Sequence, residues 1–245
     1  MIKKSGRYLL TLFLFFTIWQ LASVTVKGPL LPSPVAVFLN IGEVFFTKIA
    51  PHAFISLYRV IMGLVISMLF GMVVGILMGY YEAVDRLLSP VLYFTYPVPK
   101  IALLPVVMIL FGLGEFSKIT MIVIITVFQI IISARDAVRN VPEEMYYSLR
   151  SLGANTFAVF YHIVFPAVMP ELLTAVRLSL GTSISVLFFT ENFGTTHGMG
   201  YFIMDSWMRV NYIDMYSGIV VLGIMGTFLF FAVDLLEKIF CRWKR

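Results

Sequence analysis

The chain has 245 residues, 60% hydrophobic and only 13% charged, with a mean hydropathy of +0.95; soluble domains carry about 25% charged residues, so the composition excludes a water-soluble globular fold and makes this an integral membrane protein. The net charge of +5 fits Lys and Arg retained on one membrane face, and it excludes the clustered basic readout of a nucleic-acid binder. The single cysteine, Cys241, excludes an intrachain disulfide framework and a cysteine-based metal cluster.

A helix needs roughly 20 mostly apolar residues to cross the bilayer core. Residues 8–26, 57–80, 87–110, 119–134, 172–189 and 215–236 qualify. They predict an all-α, polytopic membrane protein of about six transmembrane helices, in a single domain over 1–245. The first span follows Lys3, Lys4 and Arg7, a flank shared with signal peptides, and Ala22 and Ser23 could mark a cleavage site. Its apolar run is long for a signal core and continues through Trp19 and Leu21, which favours retention. Its Phe13, Phe15 and Phe16 are expected to face lipid. Residues 28–34, rich in Gly and Pro, read as an extracytoplasmic turn, and 35–48 as an amphipathic helix lying at the interface. On the second span Gly63, Gly71, Gly75 and Gly79 form a small-residue stripe that lets backbones approach; tight packing and gating both remain open for it. Pro97, Pro99 and Pro105 interrupt the third span, because each removes a backbone donor.

Orientation follows from Lys and Arg near the span ends. With the N-terminus inside, the inside set is Lys3, Lys4, Arg7, Arg86, Arg135, Arg139, Arg150, Lys238, Arg242, Lys244 and Arg245, against Lys27, Lys48, Arg59, Lys118 and Arg209 outside. Lys100 and Arg177 fall within spans. The bias predicts both termini, and the loop between spans four and five, in the cytoplasm.

That loop, residues 141–166, is a polar island. Pro142 suits the first turn of a helix, and Glu143 and Glu144 suit the positive end of its dipole. The helix is expected to run to about Leu152 and to stop at Gly153, which adopts positive φ without penalty. A second short helix then carries Phe157, Phe160 and Tyr161 as an aromatic knob, and Pro166 ends the unit.

Gly153, then Ile163 ten residues on, then Phe165-Pro166, resembles the signature loop of inner-membrane permeases of ATP-binding-cassette importers, which reads Glu-Ala-Ala, three residues, Gly, nine residues, Ile, one residue, Leu-Pro. The stretches 56–60 with Gly63, 96–105, 110–114 with Lys118-Ile119, and 198–201 resemble the nitrate, sulfonate and taurine branch of the same family, in order. The family-like core spans about 56–236. The resemblance implies a coupling loop built from Glu143, Glu144, Tyr147, Leu149, Gly153, Ala154, Phe157, Phe160, Ile163 and Pro166. It implies two ATPase subunits carrying ATP and Mg, a second permease copy or paralogue, an extracytoplasmic binding protein, a prokaryotic inner-membrane location, and a small anion or vitamin precursor as solute. The chain departs from the pattern where Tyr147-Ser148-Leu149 replaces Glu-Ala-Ala; Glu143 and Glu144, about one turn earlier, could substitute.

Candidates for the translocation path are Lys100, Thr190, Glu191 and Asn192, since an ionisable group near the bilayer is costly and often functional. The plainer readings are snorkelling for Lys100 and a helix-end contact with headgroups for Glu191. Arg177 is expected to snorkel. His52, His162 and His197 fall in three separate loops and form no metal pattern. No Gly-x-x-x-x-Gly-Lys-Ser/Thr loop occurs, so ATP hydrolysis belongs to another polypeptide and no cofactor is expected on this chain. The alternative is a self-contained secondary transporter or channel, which predicts buried charged pairs and inverted repeats, neither of them evident in the sequence.

Overall fold

A computed structural model describes residues 2–26, 28 and 30–244, with the side chains of 2–9 and 244 undescribed. Lys3, Lys4, Arg7, Lys27, Lys244 and Arg245 of the charge count therefore lie outside the described side chains. The described residues form helices α1 (Ile2–Val26), α2 (Pro34–Val44), α3 (Ala50–Tyr80), α4 (Glu82–Thr95), α5 (Leu104–Phe111), α6 (Glu115–Arg139), α7 (Glu143–Ser151), α8 (Thr156–Val159), α9 (Phe165–Thr190), α10 (Met199–Met208) and α11 (Tyr212–Phe240), with no strand among them. Among the described residues, four continuous helices are long and apolar enough to cross a membrane: Pro34–Tyr80, Glu115–Arg139, Thr156–Thr190 and Tyr212–Phe240. The pair Glu82–Thr95 and Lys100–Phe111 can form one more, broken by an 87° bend. The apolar part of α1 is Leu10–Val26. Phe13 and Phe15 are exposed on it, whereas Phe16 packs edge-on against Phe38.

Two predicted helix ends need correction, and a π-turn before a proline is found at both. Residues 35–48 do not form a separate interfacial helix. Ser33 caps α2 by accepting the Ala36 N–H at 3.3 Å, and the helix then runs through a π-turn, Phe45–Ile49, directly into α3. Likewise Pro166 does not end the loop unit, because α8 passes through a second π-turn, Phe160–Val164, into α9. In each case the residue before a proline donates to the carbonyl five positions back: Ala50 N–H to Phe45, before Pro51, and Phe165 N–H to Phe160, before Pro166. A proline breaks a helix by clashing with the carbonyl four residues back and by lacking a donor. The wider π-turn moves that carbonyl aside, so the helix continues through the proline.

The third-span interruption holds. Pro97 and Pro99 lie in the non-helical break at the bend, while Pro105 sits in the first turn of α5, where its missing N–H costs nothing.

The chain folds as two compact units, residues 1–56 with 195–224, and residues 57–194 with 225–245. In the first, Ile49, Met199, Phe202 and Val221 form the apolar centre. Buried Asp214 accepts from Asn40 Nδ2 and Asn211 Nδ2 at 2.8 Å each and pairs with Lys48 at 3.3 Å. The stretch 199–208, between the fifth and sixth predicted spans, is helix α10. It starts at Gly198, whose φ of 123° suits glycine, and its first N–H groups are held from α3: Gly198 donates to His52 Nδ1 at 3.1 Å and Met199 to Ser56 Oγ at 2.7 Å. His52 is therefore helical and only His197 is in a loop, since His162 lies within the second π-turn. The His52 and His197 rings are 5.8 Å apart, so these two are neighbours in space.

The second unit is built around α3, α6 and α9, with α5 and α11 closing the core. The glycine stripe on α3 lies directly against α6. A Cβ at Gly63 would stand 2.5 Å from Ile122 Cγ2, at Gly71 2.7 Å from Ile130 Cγ2, at Gly75 2.5 Å from the Ile131 carbonyl oxygen, and at Gly79 2.6 Å from Val138 Cβ. Between them Ser67 Oγ and Thr126 Oγ1 share a buried hydrogen bond of 2.7 Å, each hydroxyl also lying 2.8 Å from a carbonyl oxygen of its own helix. Small residues and hydroxyl pairs are the means by which helices associate where lipid supplies no hydrophobic drive.

Candidate functional site

Loop 141–166 belongs to the second unit. α7 ends at Ser151 with Leu152 as its C-cap, and Gly153 follows with φ of 80°. Its N–H donates to Arg150 O at 2.9 Å, and Ala154 N–H donates to Leu149 O at 3.2 Å. These two bonds are those of a Schellman cap. Asn155 then caps α8, its side chain accepting the Ala158 N–H at 2.9 Å. The chain thus turns sharply between two well-capped helices, as the sequence predicts up to residue 161.

The loop's apolar side chains point outward. Phe157 is 74% exposed and stacks on Tyr161, with centroids 6.4 Å apart. Met145, Tyr147, Leu152, Phe160 and Tyr161 are also exposed. Glu143 and Glu144 are exposed on α7, and Tyr147 Oη donates to Glu143 Oε2 at 3.4 Å. Ile163 is buried, while Leu149, Ala154 and Pro166 are half-buried, so these four support the loop from beneath. A groove of about 380 Å³ runs between α7 and the second π-turn, bordered by Glu144, Leu149, Leu152 and His162. The other face of α7 is tied down: Arg150 Nη2 donates to Tyr80 Oη at 3.1 Å, and burial pushes the Tyr146 phenol above its ordinary range.

The path candidates are scattered. The Lys100 ammonium sits 4.9 Å from the Phe128 ring centre and 5.4 Å from that of Tyr96, and donates to Tyr96 O at 3.2 Å. It is held by cation–π contact instead of snorkelling free. Thr190 is buried, and its hydroxyl donates back to Leu187 O at 3.0 Å. Asn192 is half-buried, and its Oδ1 has no hydrogen-bond partner among the described residues. Arg177 does not snorkel: its Nε donates to Asp234 Oδ1 at 2.8 Å and its Nη2 to Glu237 Oε2 at 2.5 Å.

Glu191 does not make the helix-end contact with headgroups. It is fully buried and pairs with Arg59 Nη1 at 2.7 Å, also fully buried. Arg59 turns its other edge to Glu115, donating from Nε to Oε2 at 2.6 Å and from Nη2 to Oε1 at 2.5 Å. Lys118, also buried, donates to Leu113 O at 2.6 Å and to Gly114 O at 3.3 Å. Arg59 and Lys118 are therefore not outer-loop charges, and buried charged pairs are present after all. The sequence could not announce the pair, because Arg59 and Glu191 lie 132 positions apart.

Residues 67–245 match the family described as the binding-protein-dependent transport system inner membrane component. The taurine transport system permease protein TauC of Escherichia coli (strain K12) is 31% identical, over 95% of this chain and 88% of that protein. The formylaminopyrimidine transport permease protein ThiX of Halalkalibacterium halodurans is 27% identical, over 96% of this chain and 95% of its own length. An inward-facing structure of the MetNI methionine ABC transporter shares the fold, with a TM-score of 0.64 over 80% of this chain and 97% of that chain, at 18% identity.

Proposed function

The chain belongs to the family of inner membrane components of binding-protein-dependent transport systems, and from that premise we propose that it carries a small organic anion of the taurine type across the membrane, driven by ATPase subunits that grip loop 141–166. As a permease it translocates and does not hydrolyse, and it works with a separate ATPase and a binding protein. The observation that carries the docking part is the exposed aromatic knob, Phe157 on Tyr161, standing beside a capped turn. A large exposed aromatic at the centre of a patch is the type of side chain that anchors an interface. Glu143 and Glu144, free of the core on the adjoining helix, would supply the acidic contacts in place of a residue at Tyr147. We further propose two permease copies and two ATPases, with both termini and this loop in the cytoplasm. Withdrawing buried Arg59 and Lys118 from the outer set strengthens the inside bias of Lys and Arg that favours this sidedness. Closure of the ATPase dimer would draw the two loops together and open the path outward, and hydrolysis would reset it, a two-state equilibrium biased by ligand.

The test is Phe157→Asp beside Gly153→Pro in the assembled importer. Phe157 is exposed, so its replacement leaves the permease's thermal stability unchanged, while losing such an anchor weakens ATPase association by roughly 30-fold or more, about 2 kcal/mol. Gly153→Pro removes the donor to Arg150 O and the positive φ, and so redirects α8. Both variants are expected to lose ATPase co-purification and uptake. Intact co-purification and uptake in both would end the docking assignment. A thermal-shift screen of the cognate binding protein against taurine, other sulfonates and pyrimidines checks the solute class.

A further inference from the structure

We propose that Arg59 is an anion-binding group of the permease itself, and that Glu115 is an exchangeable counter-ion occupying the seat of the transported anion; the assignment rests on the taurine-type reading above. The geometry separates the two carboxylates on Arg59. Glu191, at the end of α9, holds one terminal nitrogen and is fully buried. Glu115, in the first turn of α6, holds the Nε–Nη2 edge through both its oxygens, yet its side chain is 52% exposed. The Nε–Nη2 edge is the planar fork that fits carboxylate, phosphate or sulfonate oxygens with two parallel hydrogen bonds. Any tetrahedral or planar oxyanion can therefore take the place of Glu115 without disturbing Glu191.

The charge balance points the same way. Lys118 is fully buried and lies three residues along α6 from Glu115, on the same side of the helix. With Glu115 in place the four groups are formally neutral. With Glu115 turned out to solvent, Arg59 and Lys118 against Glu191 leave one net positive charge in a buried setting. An excess of one charge in a buried setting is costly, so the cluster favours one monoanion in the place of Glu115. A sulfonate solute is such a monoanion. The segment carrying Glu115 belongs to the same cluster: Gly112, at φ of 76°, and Gly114 flank Leu113 just before α6, and the Leu113 and Gly114 carbonyls accept from Lys118. Release of Glu115 as the solute arrives would link occupancy of the site to movement at the start of α6.

The experiment uses the full permease with its ATPase subunits in lipid nanodiscs. Thermal unfolding is followed against methanesulfonate, against its neutral isostere dimethyl sulfone, and against chloride at equal ionic strength. In Glu115→Ala, methanesulfonate is expected to raise the midpoint saturably, with an apparent affinity about tenfold or more above that of the parent. Dimethyl sulfone and chloride leave the midpoint in place, and so does methanesulfonate in Glu115→Ala/Arg59→Lys, which keeps the charge and loses the fork. If Glu115→Ala does not fold, Glu115→Gln, which keeps the volume, is read the same way. No saturable rise in either Glu115 variant, or an equal rise with the neutral isostere, with chloride or without the guanidinium, overturns the assignment. Taurine uptake without the methanesulfonate response removes this site and leaves the transport reading standing; the response without taurine uptake does the reverse.

Discussion

Glu191→Ala is expected to cost this fold about 3–5 kcal/mol, the usual penalty for removing one partner of a fully buried ion pair. Arg59 and Glu191 are both fully buried and sit on different helices, α3 and α9, so the loss falls on a contact between two of the helices that make the core. Two comparisons make the prediction sharp. Glu115→Ala should cost less, about 1–3 kcal/mol, since that carboxylate is half exposed and Arg59 keeps Glu191, although its buried Nε–Nη2 edge loses a partner. The double replacement Arg59→Met/Glu191→Leu should recover much of the single loss, because an apolar pair of similar volume avoids the desolvation cost that the ions bear. Thermal unfolding of the purified permease, or the folded fraction recovered from membranes, reads all three. A Glu191→Ala protein within about 1 kcal/mol of the parent would mean that Arg59 finds another partner, and the pair would then not be what joins α3 to α9.

This cluster also shows where sequence reasoning stops. Hydropathy locates the spans because each is a continuous apolar run. Gly153 and its neighbours reveal the loop's turn because capping is a local matter of four or five residues. The glycine stripe on α3 is legible for the same reason, since its period lies within one helix. Arg59 and Lys118 mislead because the charge rule assumes that a basic residue near a span end lies in water. Both have left water, one for two carboxylates on other elements and the other for two backbone carbonyls. Arg177 repeats the point with Asp234 and Glu237. The helix that continues through Pro166 was hidden by a different cause: the terminating power of proline is a statement about α-helical spacing, and a π-turn changes that spacing, as it also does before Pro51. Of the path candidates, the polar or charged type of Lys100, Thr190, Glu191 and Asn192 was a sound signal of something unusual, but type alone could not tell a carboxylate on a solute path from one closing a buried pair. Buried charge pairs, named as a mark of a secondary transporter, do not favour that alternative here, because the family assignment accounts for the chain and the pair joins core helices.

The second large effect is expected at Gly75. Substitution to Ala there sets two terms against each other. Alanine is the better helix former by about 1 kcal/mol, which favours the variant. Its Cβ, however, would stand 2.5 Å from the Ile131 carbonyl oxygen, 2.6 Å from Ala134 Cβ and 3.1 Å from the Arg135 nitrogen. Two of those three atoms are backbone and cannot rotate away, so α3 and α6 must separate, and separation would loosen the neighbouring Ser67–Thr126 hydrogen bond as well. Overpacking of a closed core costs about 1–3 kcal/mol, and the α3–α6 contact, closed at four glycines, leaves nowhere to relax. The stripe should therefore grade by what each Cβ meets. Gly79→Ala faces the Arg135 carbonyl at 2.8 Å and should approach Gly75→Ala in severity, while Gly63→Ala meets only the side chain of Ile122, which can shift, and should be milder. Gly42→Ala in α2, with nothing within 4 Å, should be neutral or stabilising by about 0.5–1 kcal/mol through helix propensity alone. Unfolding midpoints measured across the four variants test the order. If Gly75→Ala melts with Gly42→Ala, the helices are not in the contact described, and the stripe serves a moving surface instead of a fixed one.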